Sequence, residues 1–144
     1  MLKPKMGFAY GNRGIVYGAK GDYDHAIADY SESIRLDPNL TAADYGRGNA
    51  YWLKSDFDRA IADYDQVIQL DPKNIGAFNN RGNTYLAKGD FDRAIADFDQ
   101  AIRLDPKLAA AYFNHGIASL YVGSLADALT NFDRSSDRRS GSRS

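Results

Sequence analysis

The sequence predicts an all-α fold built as an array of helix pairs. Three observations carry that prediction. A block of basic, small, acidic, aromatic and acidic residues opens at Lys20, Lys54 and Lys88, and each time an apolar stripe follows. Each copy ends in Asp-Pro, and Pro38, Pro72 and Pro106 recur every 34 residues. Within a copy the apolar residues fall at helical spacing, as do Ala94, Ile95, Phe98, Ala101 and Ile102, which makes one face of a 3.6-residue period. A constant period of this length marks stacked units, each burying its apolar face against its neighbours.

Residues 1–6 are expected to be a lead-in. The first unit, 7–40, starts with a helix from Phe8 to about Lys20, carrying Tyr10, Gly14 and Tyr17 on one stripe. Its second helix runs from Tyr23 to Leu36 and stops before Pro38, which has no N–H to give and clashes with the preceding turn. The second unit, 41–74, repeats this with Gly48, Tyr51, Ala60, Tyr64 and Pro72; the third, 75–108, with Phe78, Gly82, Tyr85, Ala94, Phe98 and Pro106. The fourth, 109–140, keeps Tyr112, Gly116, Ala128 and Phe132 and then degrades, with no proline after it. Asp22, Asp56 and Asp90 are placed to cap the second helices, where acid also suits the helix dipole. That reading displaces calcium binding by the Asp22/Asp24, Asp56/Asp58 and Asp90/Asp92 pairs, because a calcium loop needs more oxygen ligands and a glycine at fixed offsets. Arg138 to Ser144 is polar and is expected to be a disordered end, with 141–144 resembling a cloning remnant.

Gly14, Gly48, Gly82 and Gly116 sit mid-helix, where glycine costs about 1 kcal/mol relative to alanine. Repeated in every unit, that cost implies a close approach of the partner helix. Ala26, Ala60, Ala94 and Ala128 supply the other half of the contact, with Tyr30, Tyr64, Phe98 and Phe132 filling the space between.

Composition narrows the function. A formal net charge of −1 does not fit a nucleic-acid binder, which needs a concentrated basic face. There is no cysteine, so disulfides, thiolate metal sites and a cysteine nucleophile are excluded. Met1 to Met6 lacks the apolar core of a signal peptide, and no apolar run is long enough for a bilayer. A cytoplasmic protein without membrane contact is therefore expected. Gly46 and Gly48 lie within a helical pattern and do not make a phosphate loop. His25 takes the slot of Arg59 and Arg93 and is expected to face solvent; His115 takes that of Arg13, Arg47 and Arg81 and is expected to be structural. Spacing singles out no catalytic set and no metal ligands. The expectation is a non-enzyme without a cofactor.

The aromatic, Gly, Tyr, Ala, aromatic and Pro positions at a 34-residue period resemble the tetratricopeptide repeat family over about residues 7–140. The resemblance implies antiparallel helix pairs stacked into a right-handed superhelix, with a concave groove lined mainly by the first helix of each unit. On that frame the groove stripe of the first unit is Phe8, Gly11, Asn12, Ile15 and Ala19, with Asn12 as its polar candidate, and the second unit offers Tyr45, Asn49 and Trp52. The third unit adds Asn79, Asn80, Asn83 and Leu86, and the fourth adds Phe113, Asn114, Ile117 and Tyr121. An asparagine offers both donor and acceptor and can bond a peptide backbone without reading its side chains; it could equally cap or solvate. Trp52, outside the repeated core stripe, suits an anchor or packing against the next repeat. The resemblance thus implies an adaptor holding an extended or helical protein segment, with self-assembly through repeat ends or faces as the alternative. One partner class is ruled down. Members that grip acidic chaperone tails use a clamp of lysines, an arginine and asparagines at positions here held by Gly11, Ile15, Gly46, Gly76 and Asn80, or one unit on by Tyr45, Asn49, Asn80, Ala110 and Asn114; two asparagines match in the second frame, but every cation is missing. No charge partner for a carboxylate tail remains.

Two departures from the family carry further expectations. Its usual leucine before the helix glycine is Arg13, Arg47 and Arg81, and the second helices carry Asp29, Asp63 and Asp97; in the fourth unit both change, to His115 and Asn131. This co-variation within one chain predicts an ion pair in each of the first three units. The first aromatic slot of the second unit holds Asp44, with Tyr45 beside it. Asp44 is expected to be exposed or paired, or else the local register differs, since burying a lone carboxylate is costly. Solenoid ends also need polar caps, so Phe8, Tyr10 and Ile15 at one end and Leu125, Leu129 and Phe132 at the other are expected to be exposed and to promote weak self-association.

Overall fold

The computed structural model describes residues 3–141 and contains eight α-helices among them. They are α1 (Lys3–Ala19), α2 (Tyr23–Leu36), α3 (Thr41–Leu53), α4 (Phe57–Leu70), α5 (Ile75–Lys88), α6 (Phe91–Leu104), α7 (Ala109–Tyr121) and α8 (Leu125–Gly141). No strand occurs among the described residues. Two compact units divide the chain, Met1–Ala77 and Phe78–Ser144, with the boundary in the first turn of α5.

The punctuation read from the sequence is present atom by atom. Asp22, Asp56 and Asp90 accept from the backbone N–H of His25, Arg59 and Arg93, capping α2, α4 and α6. At the other end Asp37, Asp71 and Asp105 accept from the N–H groups of Asn39, Lys73 and Lys107, folding a turn over each proline. The turn within each pair needs a left-handed residue. Gly21, Gly89 and Gly123 supply it, with φ of 78°, 81° and 83°, while Ser55 takes φ 62° with a side chain attached.

Two helices extend beyond expectation. α1 begins at Lys3, inside the expected lead-in; Pro4 falls in its first turn, where a missing N–H costs no intrahelical bond. α8 runs through Gly141, so Arg138 to Ser140 are helical where a disordered end was expected. The Arg139 guanidinium lies 5.8 Å from the centre of the Phe113 ring, and basic residues in a last turn suit the helix dipole. Residues 142–144 of the expected tail lie outside the described residues.

In the first unit Gly7 meets Ser33, Gly14 meets Tyr30, and Tyr17 stacks on His25 at 5.0 Å. Early residues of α1 thus face late residues of α2, and the pair is antiparallel. Ala26, Ala60, Ala94 and Ala128 are fully buried. The ring of the second helix, more than the alanine, fills the space over each glycine. A Cβ on Gly14 or Gly48 would lie 2.9 Å from Tyr30 or Tyr64, and one on Gly82 or Gly116 would lie 2.7 Å from Phe98 or Phe132.

Opposing magnitudes make a test. Gly82→Ala gains about 1 kcal/mol of helix propensity but overpacks a core, which costs roughly 1–3 kcal/mol. Phe98 is fully buried and has nowhere to swing. A net loss of up to about 2 kcal/mol is expected in urea unfolding. Gly18, with nothing near its missing Cβ, is the control: Gly18→Ala should stabilise by up to about 1 kcal/mol. Stabilisation by both would show that the Phe98 ring is not wedged.

Candidate functional site

The polar frame comes first, because it fixes the first helices. Arg13 Nε and Nη2 donate to Asp29 at 2.6 and 2.8 Å. Arg47 does the same to Asp63 at 2.9 and 2.7 Å, and Arg81 to Asp97 at 2.8 and 2.7 Å. Each is a two-pronged pair joining the two helices of one repeat, as the co-variation predicts. The bonds they donate to Asp29 and Asp63, with the charge of those carboxylates, push the Arg13 and Arg47 guanidinium groups still further up, against the opposing effect of burial. Spacing did not reveal a second bond. Arg47 Nη1 also donates to Ser31 on the preceding helix at 3.0 Å. In the other unit His115 Nε2 bonds Asp99 on the preceding helix at 2.9 Å. His115 is thus structural, as expected, while Asn131 turns away and donates to the Asp127 carbonyl at 2.7 Å.

His115 Nδ1 lies 3.1 Å from Ser119 Oγ, so Asp99, His115 and Ser119 form a chain of the kind that activates a nucleophile. Ser119 is 1% exposed, and its hydroxyl donates to the His115 carbonyl one turn back. A nucleophile must be reachable and must give its proton to the base; this one staples a helix.

Asp44 corrects an expectation. It is neither exposed nor paired: it is 2% exposed, and its Oδ2 is buried without a hydrogen-bond partner among the described residues. Desolvation, and then the Asp63 charge, raise its pKa to about 6, against the attraction of Arg47. Below about pH 6 the burial cost is relieved by holding the proton.

In the first unit a groove of about 160 Å³ runs beside α1. Phe8, Gly11, Asn12 and Ile15 form one side, Leu40, Ala42 and Ala43 the other, and Tyr30 lines it as well. Phe8 and Ile15 are more than half exposed. Tyr45 is half-buried, edge-on to Tyr64 at 6.1 Å, and its hydroxyl occupies the space that a side chain at Gly76 would need. Asn49 accepts from the Tyr64 hydroxyl at 2.6 Å, so its carbonyl is engaged within the fold. Trp52 is 39% exposed, beside an exposed Leu53.

In the compact unit Phe78–Ser144, Asn79, Asn80, Asn83, Asn114 and Ile117 are half-buried. The Asn79 side-chain carbonyl is buried without a hydrogen-bond partner among the described residues. The Asn80 backbone carbonyl accepts from Thr84 at 2.7 Å. Leu86 packs on the core of Ala94, Phe98 and Ala118. Phe113 is exposed on one side and tilted against Phe132 at 5.7 Å. Tyr121 is 66% exposed yet stacks flat on Phe91 at 4.4 Å. Phe8, Gly11, Asn12 and Ile15 all lie on the stripe of the first helix that the repeat frame assigns to the groove.

Paired helices at a 34-residue period, a small residue under each ring and a groove beside the first helix define a helical-repeat interaction protein. The chain belongs to the tetratricopeptide repeat family: the model described as Tetratricopeptide repeat matches residues 8–40 and 76–108, and that described as TPR repeat matches 48–89. No curated protein matches the chain. Solved structures similar to it include a crystal structure of MamA, at TM-score 0.92 and 23% identity over 95% of this chain and 80% of that one. The first TPR of Spaghetti (RPAP3) bound to the HSP90 peptide SRMEEVD aligns at TM-score 0.82 and 23% identity, covering 84% of this chain and 96% of that one. The first TPR domain of human RPAP3 aligns at 0.79 and 25% identity, covering 84% and 95%. The fold is therefore the repeat solenoid that the family resemblance implies. No described helix is long and apolar enough to cross a membrane.

Proposed function

We propose that the chain is a protein-interaction adaptor that holds an extended segment, rich in apolar side chains, against the first helices of its repeats. The carrying observation is the groove beside α1, where exposed Phe8 and Ile15 flank the amide of Asn12. Apolar side chains around a single amide suit a peptide held by its side chains and oriented by its backbone. Amides alone contribute only about 0.5–1.5 kcal/mol each, so the apolar anchors must dominate. The similarity to a TPR domain bound to a peptide supports a peptide ligand as such, not its composition. An acidic tail is a poor candidate for a physical reason as well. Two of the positions where the family carries clamp residues, Gly46 and Gly76, are filled by the Tyr30 ring and the Tyr45 hydroxyl, at 2.5 and 2.7 Å from where a Cβ would stand.

The test is selection of peptides from a displayed library on the full chain, followed by calorimetry. Phe8→Ala with Ile15→Ala should weaken a selected peptide by about 2 kcal/mol, roughly thirtyfold, and Trp52→Ala reports whether the second repeat contributes. If every variant stays folded by circular dichroism and binds as the parent does, the first-helix face is not the site.

A further inference from the structure

The first and last helices carry the two halves of a contact that the fold already makes internally. That internal contact seats the second helix of one repeat on the first helix of the next. Between α6 and α7, Phe91 stacks on Tyr121, Ile95 packs on the cluster containing Ala118, and Asp99 bonds His115. Between α2 and α3, Ser31 accepts from Arg47.

Projected by the 34-residue period, the same face of α8 presents Leu125, Leu129 and Asp133 in the places of Phe91, Ile95 and Asp99. Leu125 and Leu129 are 63% and 57% exposed, and Asp133 is exposed without a partner among the described residues. The receiving face of α1 presents Arg13 and Val16 in the places of His115 and Ala118. Ala118 is fully buried, whereas Val16 is 52% exposed. A hollow of about 310 Å³ opens on this side, lined by Met6, Ala9, Tyr10 and Arg13.

Arg13 is the sharpest sign. Its Nε and Nη2 hold Asp29 as Arg47 holds Asp63, but its Nη1, the atom that in Arg47 reaches the preceding helix, has no partner among the described residues. Its side chain is 59% exposed, against 23% for Arg47.

We propose that a second copy of this chain docks head to tail, with α8 of one copy on α1 of the next, Leu129 against Val16 and Asp133 accepting from Arg13. The apolar residues match in place, and the unpartnered donor meets the unpartnered carboxylate. The contact is heterologous, so each copy offers a free face to the next and growth continues past the dimer. It uses a face of α1 next to the peptide groove, and its failure would leave the adaptor reading standing.

The experiment is sedimentation velocity of the full chain up to about 1 mM at low salt, where even a weak interface is populated. The weight-average mass of the parent should rise steadily with concentration. Val16→Glu blocks only the α1 face and Leu129→Glu only the α8 face, and both sites are exposed enough to spare the core. Each variant alone should lose at least about tenfold in association, while an equimolar mixture should form a dimer that grows no further. Asp133→Lys should weaken assembly severalfold and invert its salt dependence. Since the chain has no cysteine, a mixture of Val16→Cys and Leu129→Cys should cross-link to the mixed dimer on oxidation.

A parent that stays monomeric overturns the proposal. So does assembly by either blocked variant alone, which would mean an isologous contact, and so does a mixture that fails to pair while the parent assembles. Parental assembly by Asp133→Lys overturns the stated register.

Discussion

Arg47→Met is expected to destabilise the chain by about 3–5 kcal/mol at neutral pH, the range for breaking a buried ion pair by removing one partner. The substitution keeps the stem that packs along the helix and removes only the head. Three hydrogen bonds go with it, two to Asp63 and one to Ser31. Asp63 is 5% exposed, and the buried Asp44 would lose its only nearby positive charge among the described residues. Arg13→Met removes the same pair where the guanidinium is mostly in water; a much smaller loss is expected there. Arg47→Lys should fall between, since an ammonium cannot make the two-pronged bond. Urea unfolding of the three variants checks the order, and adding Asp63→Leu to Arg47→Met should recover much of the loss. Equal losses for Arg13→Met and Arg47→Met would show that burial does not set the worth of these pairs.

This pair shows how far the sequence reaches. Arg47 and Asp63 change together with their counterparts along the repeats, so one chain records its own contacts, and every predicted pair is bonded. The bond to Ser31 left a signal too: Ser31 lies sixteen residues before Arg47, as Asp63 lies sixteen after it, and Asp99 precedes His115 by the same interval. That offset crosses a unit boundary, where reading unit by unit does not look. The groove was harder. Helical period assigns a residue to a stripe but does not say what its polar atoms meet. Asn49 lies on the stripe named for it, yet it serves Tyr64; Leu86 lies on the same stripe and joins the core. Of the residues expected to be exposed at the ends, Phe8, Ile15, Leu125 and Leu129 are, while Tyr10 and Phe132 are half-buried. Phe132 is drawn in because Gly116 leaves it room.

Asp44→Asn is expected to stabilise the chain near neutral pH and to do little at acid pH. The sign follows from linkage. The folded-state pKa of Asp44 is about 6, above the ordinary 3.8. Below 3.8 the carboxyl is protonated folded or unfolded, and it costs nothing. Between the two values the unfolded chain releases the proton while the folded chain retains it, so stability falls as pH rises. Above about 6 the loss is complete, at most roughly 3 kcal/mol at about 1.36 kcal/mol per pH unit. Local opening that admits water would reduce it. Asp24 and Glu32 act in the opposite sense. Bonds from Lys54 and Arg35 lower their pKa values, so their contribution is present above the unfolded value and lost as pH falls through the folded one. The difference between variant and parent removes those shared terms and isolates Asp44. The introduced amide matches the carboxylate in shape and carries no charge to desolvate. The measurement is urea unfolding of both proteins from about pH 4 to about pH 7.5. The gain should grow through the interval between 3.8 and about 6 and then level off. A gain that is independent of pH would mean that the amide packs better for reasons unrelated to ionisation. No gain at neutral pH would mean that Asp44 sits ionised and solvated beside Arg47.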